Sequence, residues 1–337
     1  MKNQIYLILA IMCLTLVSCD IEEEEVIEDS EAVTSKMLFP KTKHLKSTLV
    51  TKEVPFGGRA RHASLIFDKK MWVIAGNGPG IYYNDAWFST NGTDWVAATK
   101  NAAFSKRANH AVTVSNGKMW ITGGTISAAM NDVWYSKDGK QWNLATKNAA
   151  FSPRSGHGMA TLNGRMFVIG GHENGVEKGD VWVSGDGINW SLATNLAPFG
   201  ERRDHSVTVY DNKIWVIGGY DINNNFLNDV WYSPNGYQWF IATANANFLP
   251  RRDHGLTTNE KGMWLTAGTR NNDFKYFNDI WFSNDGINWT EVKASKNYPE
   301  RTEHTSLYYD KKLWVINGYG LDLGNYYDFY TDVWSFE

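Results

Sequence analysis

One unit of sequence recurs six times, and this limits the fold more than any other feature, because a self-similar chain must stack on itself or close into a ring. His62, His110, His157, His205, His254 and His304 follow one another at intervals of 47 to 50 residues. Three residues before each stands an arginine: Arg59, Arg107, Arg154, Arg202, Arg251 and Arg301. Fourteen residues after each histidine an apolar run closes on glycine, as in Met71-Trp72-Val73-Ile74-Ala75-Gly76. An uninterrupted apolar run of this length reads as a strand buried on both faces.

The run is followed by Asp-x-Trp, from Asp85/Trp87 through Asp332/Trp334, and in five units by a second tryptophan eight residues on (Trp95, Trp142, Trp190, Trp239, Trp289). Between the two tryptophans lies Asn-Gly or Asp-Gly, a hairpin signal because both residues tolerate positive φ. Each unit therefore reads as four short strands, a to d, with a tight turn joining c to d. The sixth unit ends at Trp334-Ser335-Phe336-Glu337 without a strand d, whereas Leu49 to Phe56 matches Leu144 to Phe151. Ser47 also precedes Arg59 by the twelve residues that separate each d-strand tryptophan from its arginine. An N-terminal strand would thus complete the last blade and remove the open edges. The expectation is an all-β, six-bladed β-propeller over residues 46–337, closed by that strand.

The glycine pair after strand b, the aromatic seven residues before the d-strand tryptophan (Phe88, Tyr135, Tyr232, Phe282) and the Arg-x-x-His ahead of strand a together resemble the kelch repeat. The resemblance covers Ser47 to Glu337. It departs at Ala75-Gly76, Ala267-Gly268 and Asn317-Gly318, where the first glycine is missing, and at Val183, which replaces the aromatic. It implies the fold and leaves function open, since kelch propellers serve as enzymes, adaptors and ligand binders.

Ahead of the propeller the chain reads as an address. Lys2 and the apolar run Ile5 to Val17 form a secretory signal over residues 1–18. Leu16-Val17-Ser18-Cys19 resembles a bacterial lipobox, which implies lipidation of Cys19. Residues 19–45 are an acidic flexible tether, with Asp20 and Glu22 to Glu25 directly behind the cysteine. That cluster resembles the surface-export signal of Bacteroidetes lipoproteins. The expected location is the outer membrane, surface-exposed or periplasmic, with membrane contact through the anchor alone. The other cysteine, Cys13, leaves with the signal, so no disulfide framework is possible.

The repeat also removes suspects. All 16 tryptophans occupy repeat positions, with Phe167 and Ser47 filling the two vacancies, so no spare tryptophan builds a stacking platform. Six of the eight histidines are repeat residues spread around a ring, leaving only His44 and His172, and no metal or other cofactor is expected. A net charge of −3 without a basic block offers no footprint for nucleic acid.

Length variation is confined to the b–c loop, with 8, 7, 8, 9, 10 and 13 residues between glycine and aspartate in blades one to six. The b–c loops and d–a turns share one face, the candidate binding face. Strand alternation places each repeat arginine and the residue before the histidine on one side, the histidine on the other. That companion is acidic in blades four to six (Asp204, Asp253, Glu303) and is Arg61, Asn109 and Gly156 in blades one to three. The kelch resemblance implies that the six arginines line the mouth of a central pocket; an arginine–carboxylate lattice tying the blades is the alternative. The long loops add Arg270, Asp273, Tyr276, Phe277, Tyr319, Asp322, Tyr326 and Tyr327, beside Tyr82 and Tyr83, as a wall suited to a polar ligand.

Two functions follow. One is a monomeric binding module for a glycan, a peptide or an envelope protein. The other is a carbohydrate-active enzyme resembling the envelope mutarotases and epimerases, with Asp204, Asp253, Glu303 and His172 as acid–base candidates. Copper oxidation resembling galactose oxidase would need a cysteine–tyrosine crosslink, which the mature chain has no free cysteine to make.

Overall fold

The computed structural model describes residues 44–270, 275–321 and 327–337. Cys19, Asp273, Asp322 and Tyr326 lie outside the described residues. Six antiparallel sheets, each of four blade strands, follow one another in chain order around an axis, the fourth extended by the short strand Arg202–Arg203. The first is Ala63–Phe67, Lys70–Gly78, Ile81–Ser89 and Val96–Thr99. The second is Ala111–Ser115, Lys118–Thr122, Val133–Ser136 and Asn143–Thr146. The third, Gly158–Leu162, Arg165–Glu173, Val176–Ser184 and Ser191–Thr194, and the fourth, Ser206–Tyr210, Lys213–Asp221, Phe226–Ser233 and Phe240–Thr243, repeat the pattern. The fifth is Gly255–Asn259, Gly262–Thr266, Ile280–Ser283 and Thr290–Glu291.

The sixth blade takes Thr305–Tyr309, Lys312–Ile316 and Val333–Phe336 from the C-terminus and Ser47–Thr51 from the N-terminus. Ser47 faces Phe336 and Leu49 faces Trp334, the register that Ala97 holds against Trp87 in blade one. The closing strand thus stands where expected, with Ser47 at the vacant tryptophan position.

The apolar run of strand b is buried: Met71, Val73, Ile74 and Ala75 have no exposure, and their counterparts are buried around the ring. The large aromatics wedge blade against blade. The ring of each d-strand tryptophan meets a phenylalanine edge-on, at 88° for Trp95 on Phe56 and 89° for Trp142 on Phe104. The b-strand tryptophan lies under the c–d turn of the next blade: a Cβ on Gly139 would come within 2.1 Å of Trp72, and one on Gly236 within 2.1 Å of Phe167. The turn glycines are therefore small because a neighbouring ring occupies their side-chain space.

The c–d turn differs from the expected two-residue hairpin. Only its glycine has positive φ (75° at Gly92, 72° at Gly139), and Asn91 and Asp138 do not. The Asp138 carboxylate instead accepts the N–H groups of Lys140 and Gln141, while Ser136 Oγ accepts that of Gly139. Asn and Asp are selected here as side-chain acceptors for a longer turn.

Candidate functional site

The glycine pair shows how the axis is built. The first position sits near φ 50–60° in every blade (Ala75 52°, Gly170 59°, Asn317 51°), the left-handed region that Ala or Asn can enter at modest cost. The second sits at 93–112°, and a Cβ there would meet the histidine Cβ of its own blade at 2.7–2.8 Å. Hence the first glycine is replaced in three blades and the second in none.

Against this bend lies the repeat arginine, and here the expected pocket is corrected. Arg59, Arg107, Arg154, Arg251 and Arg301 have no exposure and Arg202 has 2%. Each guanidinium donates to both carboxylate oxygens of the Asp-x-Trp aspartate, as Arg107 does to Asp132 at 2.7 and 2.7 Å. It also donates to the carbonyl of the first pair residue, Gly123 for Arg107 at 2.8 Å. The same aspartate accepts the indole N–H of its own motif, Trp134 Nε1 to Asp132 at 2.7 Å. The arginine backbone belongs to the preceding blade: Gly76 N–H donates to the Arg107 carbonyl, and Arg107 N–H to that of Tyr83. Each arginine is thus a staple with its backbone in one blade and its charge in the next, the lattice alternative in a form local to the ring. None lines the axial cavity.

The residues before the histidines do. They are not extended, as strand alternation predicts, but left-handed, with φ of 51° at Arg61, 52° at Asn109, 62° at Gly156, 55° at Asp204, 52° at Asp253 and 57° at Glu303. Each donates its N–H to the carbonyl of the preceding member: Asn109 to Arg61, Gly156 to Asn109, Asp204 to Gly156, Asp253 to Asp204, Glu303 to Asp253 and Arg61 to Glu303, at 2.8–3.0 Å. Six backbone hydrogen bonds close a collar around the axis. Its mouth is a cavity of about 140 Å³ lined by these six residues and the six histidines below them.

The collar brings Asp204, Asp253 and Glu303 onto one arc. Arg61 pairs with Glu303 at 2.7 Å, and Arg252 reaches Asp204 at 3.3 Å and Asp253 at 3.5 Å. Arg203 lies 3.1 Å from Glu177 and 3.9 Å from Asp204, and the guanidinium groups of Arg203 and Arg252 both lie over the Tyr220 ring, 5.2 and 5.1 Å from its centroid. Burial first, and then the neighbouring Asp204 carboxylate, push Asp253 well above the ordinary carboxylate range; burial also raises Glu303, against the pull of Arg61. Burial works against the charge of Arg61, but Glu303, Asp253 and Asp204 outweigh it and hold the guanidinium more firmly protonated.

The histidines form a layer beneath. Burial, and then the adjacent arginines, lower His110, His205 and His254 to about 3, and His62, His157 and His304 fall well below their usual value. His62, His157 and His304 bond threonine hydroxyls of neighbouring blades, Thr305, Thr122 and Thr266, at 2.8–2.9 Å. Further along strand a, a second cavity of about 230 Å³ is lined by Ser64, Met159, Ser206, Leu256 and Ser306.

The remaining candidates stand apart from the collar cavity. His172 sits in the b–c hairpin of blade three, its Nε2 accepting the Gly175 N–H at 2.9 Å, so it does not join the three carboxylates. Tyr276 is buried rather than presented as a wall. Tyr83 stacks over Arg59 at 4.2 Å and Tyr319 meets Phe329 at 5.1 Å. Tyr82 pairs with Asn77, and Arg270 with Lys275, along b–c hairpins. Over their described residues these connections are paired as ladders, which engages their aromatics with the frame. Arg252 and Arg203 escaped the sequence reading, although the doubled Arg-Arg-Asp at 202–204 and 251–253 was visible there.

Six blades, a stapling arginine in each and a collar around an axial cavity define a kelch-type propeller. The model of the KLHDC2/KLHL20/DRC7 Kelch-repeats domain matches residues 28–171 and 139–318, and the chain belongs to that kelch-repeat family. A search of curated proteins finds no match. As a kelch propeller the chain is a scaffold of the kind that binds proteins or other ligands.

Proposed function

We propose that this protein is a cell-envelope lipoprotein, anchored through Cys19, whose propeller binds a ligand or a protein partner on the b–c face with the axial cavity at its centre. The observation that carries the reading is the arc of Asp204, Asp253 and Glu303 opening on that cavity, within which burial raises the proton affinity of Asp253 and Glu303, since carboxylates perturbed in this way concentrate at functional sites. The staple and the collar backbone repeat in every blade, and the acidic side chains of this arc break the six-fold symmetry.

Screening the full-length protein in detergent on glycan and peptide arrays tests the binding reading. A ligand whose binding is lost on Asp253→Asn or Arg61→Ala supports an axial site; a ligand indifferent to every collar substitution overturns it. Metabolic labelling with an alkynyl palmitate tests the anchor: the native chain labels and Cys19→Ala does not. An acid–base enzyme acting on a sugar ring is the second reading, because the raised Asp253 and Glu303 carboxyls stand in one cavity. There the double variant Asp253→Asn/Glu303→Gln retains binding and loses turnover, and binding without turnover by the native protein sinks it.

A further inference from the structure

The collar is unevenly charged, and the imbalance has a location. Asp204, Asp253 and Glu303 are consecutive members of the hydrogen-bonded ring, and two guanidinium groups stand against them, with a third, Arg203, 3.9 Å from Asp204. Arg61 is engaged with Glu303 at 2.7 Å and Arg252 with Asp204 at 3.3 Å. Arg203 is turned to Glu177 at 3.1 Å. Asp253 is left with Arg252 Nε at 3.5 Å, beyond good hydrogen-bond range. Independently, His254 lines the same cavity with 5% exposure and neither ring nitrogen hydrogen-bonded. A neutral imidazole buried in this way offers an unused acceptor lone pair.

We propose that the axial cavity seats an alkylammonium group, carried by an amino sugar or by a lysine side chain, against Asp253 with Glu303, Asp204 and His254 around it. The inference rests on reading the axial cavity as the binding site. An ammonium has three donors and no acceptor, which matches carboxylates plus a neutral histidine. A volume of about 140 Å³ is smaller than the ~300–1,000 Å³ of pockets that engulf whole ligands, so the cavity takes the end of a ligand whose remainder lies on the b–c hairpins. Anions meet three carboxylates and two guanidinium groups already engaged. The raised proton affinity of Asp253 adds a signature, because a bound ammonium takes the place of its proton.

The test is calorimetric titration of the full-length protein with glucosamine and with Nα-acetyl-lysine amide, each beside a neutral counterpart, N-acetylglucosamine and Nα-acetyl-norleucine amide. The expected result is binding of at least one amine, at least tenfold tighter than its counterpart, with proton release seen as a dependence of the heat on buffer ionisation enthalpy. Binding weakens as the pH falls and Asp253 keeps its proton. Asp253→Asn and Glu303→Gln each weaken it at least tenfold with unchanged circular dichroism, and the exposed Lys261→Ala does not. Glucosamine alone binding assigns an amino sugar, and the lysine amide alone assigns a side chain. Failure of both amines, equal binding of the neutral counterparts, or indifference to Asp253→Asn overturns the proposal. A neutral or anionic array ligand that needs the collar would overturn this inference and leave the axial site standing.

Discussion

Arg59 and Asp85 meet through two parallel hydrogen bonds, Nη1 to Oδ1 at 2.8 Å and Nη2 to Oδ2 at 3.0 Å, while the Arg59 carbonyl accepts the Gly318 N–H at 3.0 Å. The first contact lies within blade one and the second joins it to blade six, so this residue links the first and last blades of the ring. The remaining blades use the same arrangement, which makes it the unit of stability.

Removing one partner of this pair strands a buried charge. Arg154→Ala, at a position with no exposure, leaves Asp180 with the Trp182 indole as its remaining side-chain donor. A loss of about 3–5 kcal/mol is expected from urea unfolding. Arg154→Lys restores little of it, because an ammonium cannot make the two-pronged contact.

The two glycines of a pair should respond differently. Gly218 has φ 57° and Gly219 has φ 101°, with a Cβ on the latter 2.7 Å from that of His205. Gly218→Ala enters the conformation that Ala75 and Ala267 already hold, though its Cβ comes 2.9 Å from the Arg251 carbonyl oxygen, and is expected to cost at least about 1–2 kcal/mol. Gly219→Ala adds a clash that only movement of the backbone relieves, and is expected to lower the thermal midpoint several times further.

Acid should weaken the propeller through its histidine layer. An unfolded imidazole takes a proton near pH 6.5, whereas His110, His205 and His254 wait until about 3. The unfolded chain therefore binds more protons between these values, and stability is full above pH 6.5 and declines as the pH falls toward 3. Urea midpoints at pH 7.5 and 5 measure the decline, and His254→Asn makes it shallower.

Asp253 acts in the opposite sense. Its raised affinity for a proton means that its contribution is most favourable below pH 3.8 and is lost as the pH rises through the folded value. Asp253→Asn is expected to raise the unfolding midpoint at pH 8 and leave it nearly unchanged at pH 3.8. Such a gain from deleting a carboxylate would show that the arc is kept at a cost to stability.

Ring closure depends on Ser47–Thr51. Deleting residues through Thr51 exposes the edge of Val333–Phe336, an apolar strand with four buried residues. The truncated chain is expected to melt earlier and to form larger species on size-exclusion chromatography, since an uncovered edge recruits other strands.

The blades were legible because each repeat position has a local reason: periodic burial in strand b, an acceptor in the c–d turn, a ring against each turn glycine. The closing strand was legible for the same reason, since Ser47 keeps the twelve-residue spacing to Arg59. The kelch resemblance implied arginines at the cavity mouth, with a lattice between blades as the alternative; recurrence in the sequence does not report which way a side chain points, and the structure shows them buried.

Sequence by itself determined the six-fold ring, its closure and the break in symmetry at Asp204, Asp253 and Glu303, because repetition and spacing are one-dimensional properties. Only the tertiary structure decided that the arginines are buried staples and that the residues before the histidines form the collar. Those roles follow from a left-handed backbone at Arg61, Asn109, Gly156, Asp204, Asp253 and Glu303 and from hydrogen bonds between successive blades. Such contacts join residues far apart in the chain and exist only once the ring has closed.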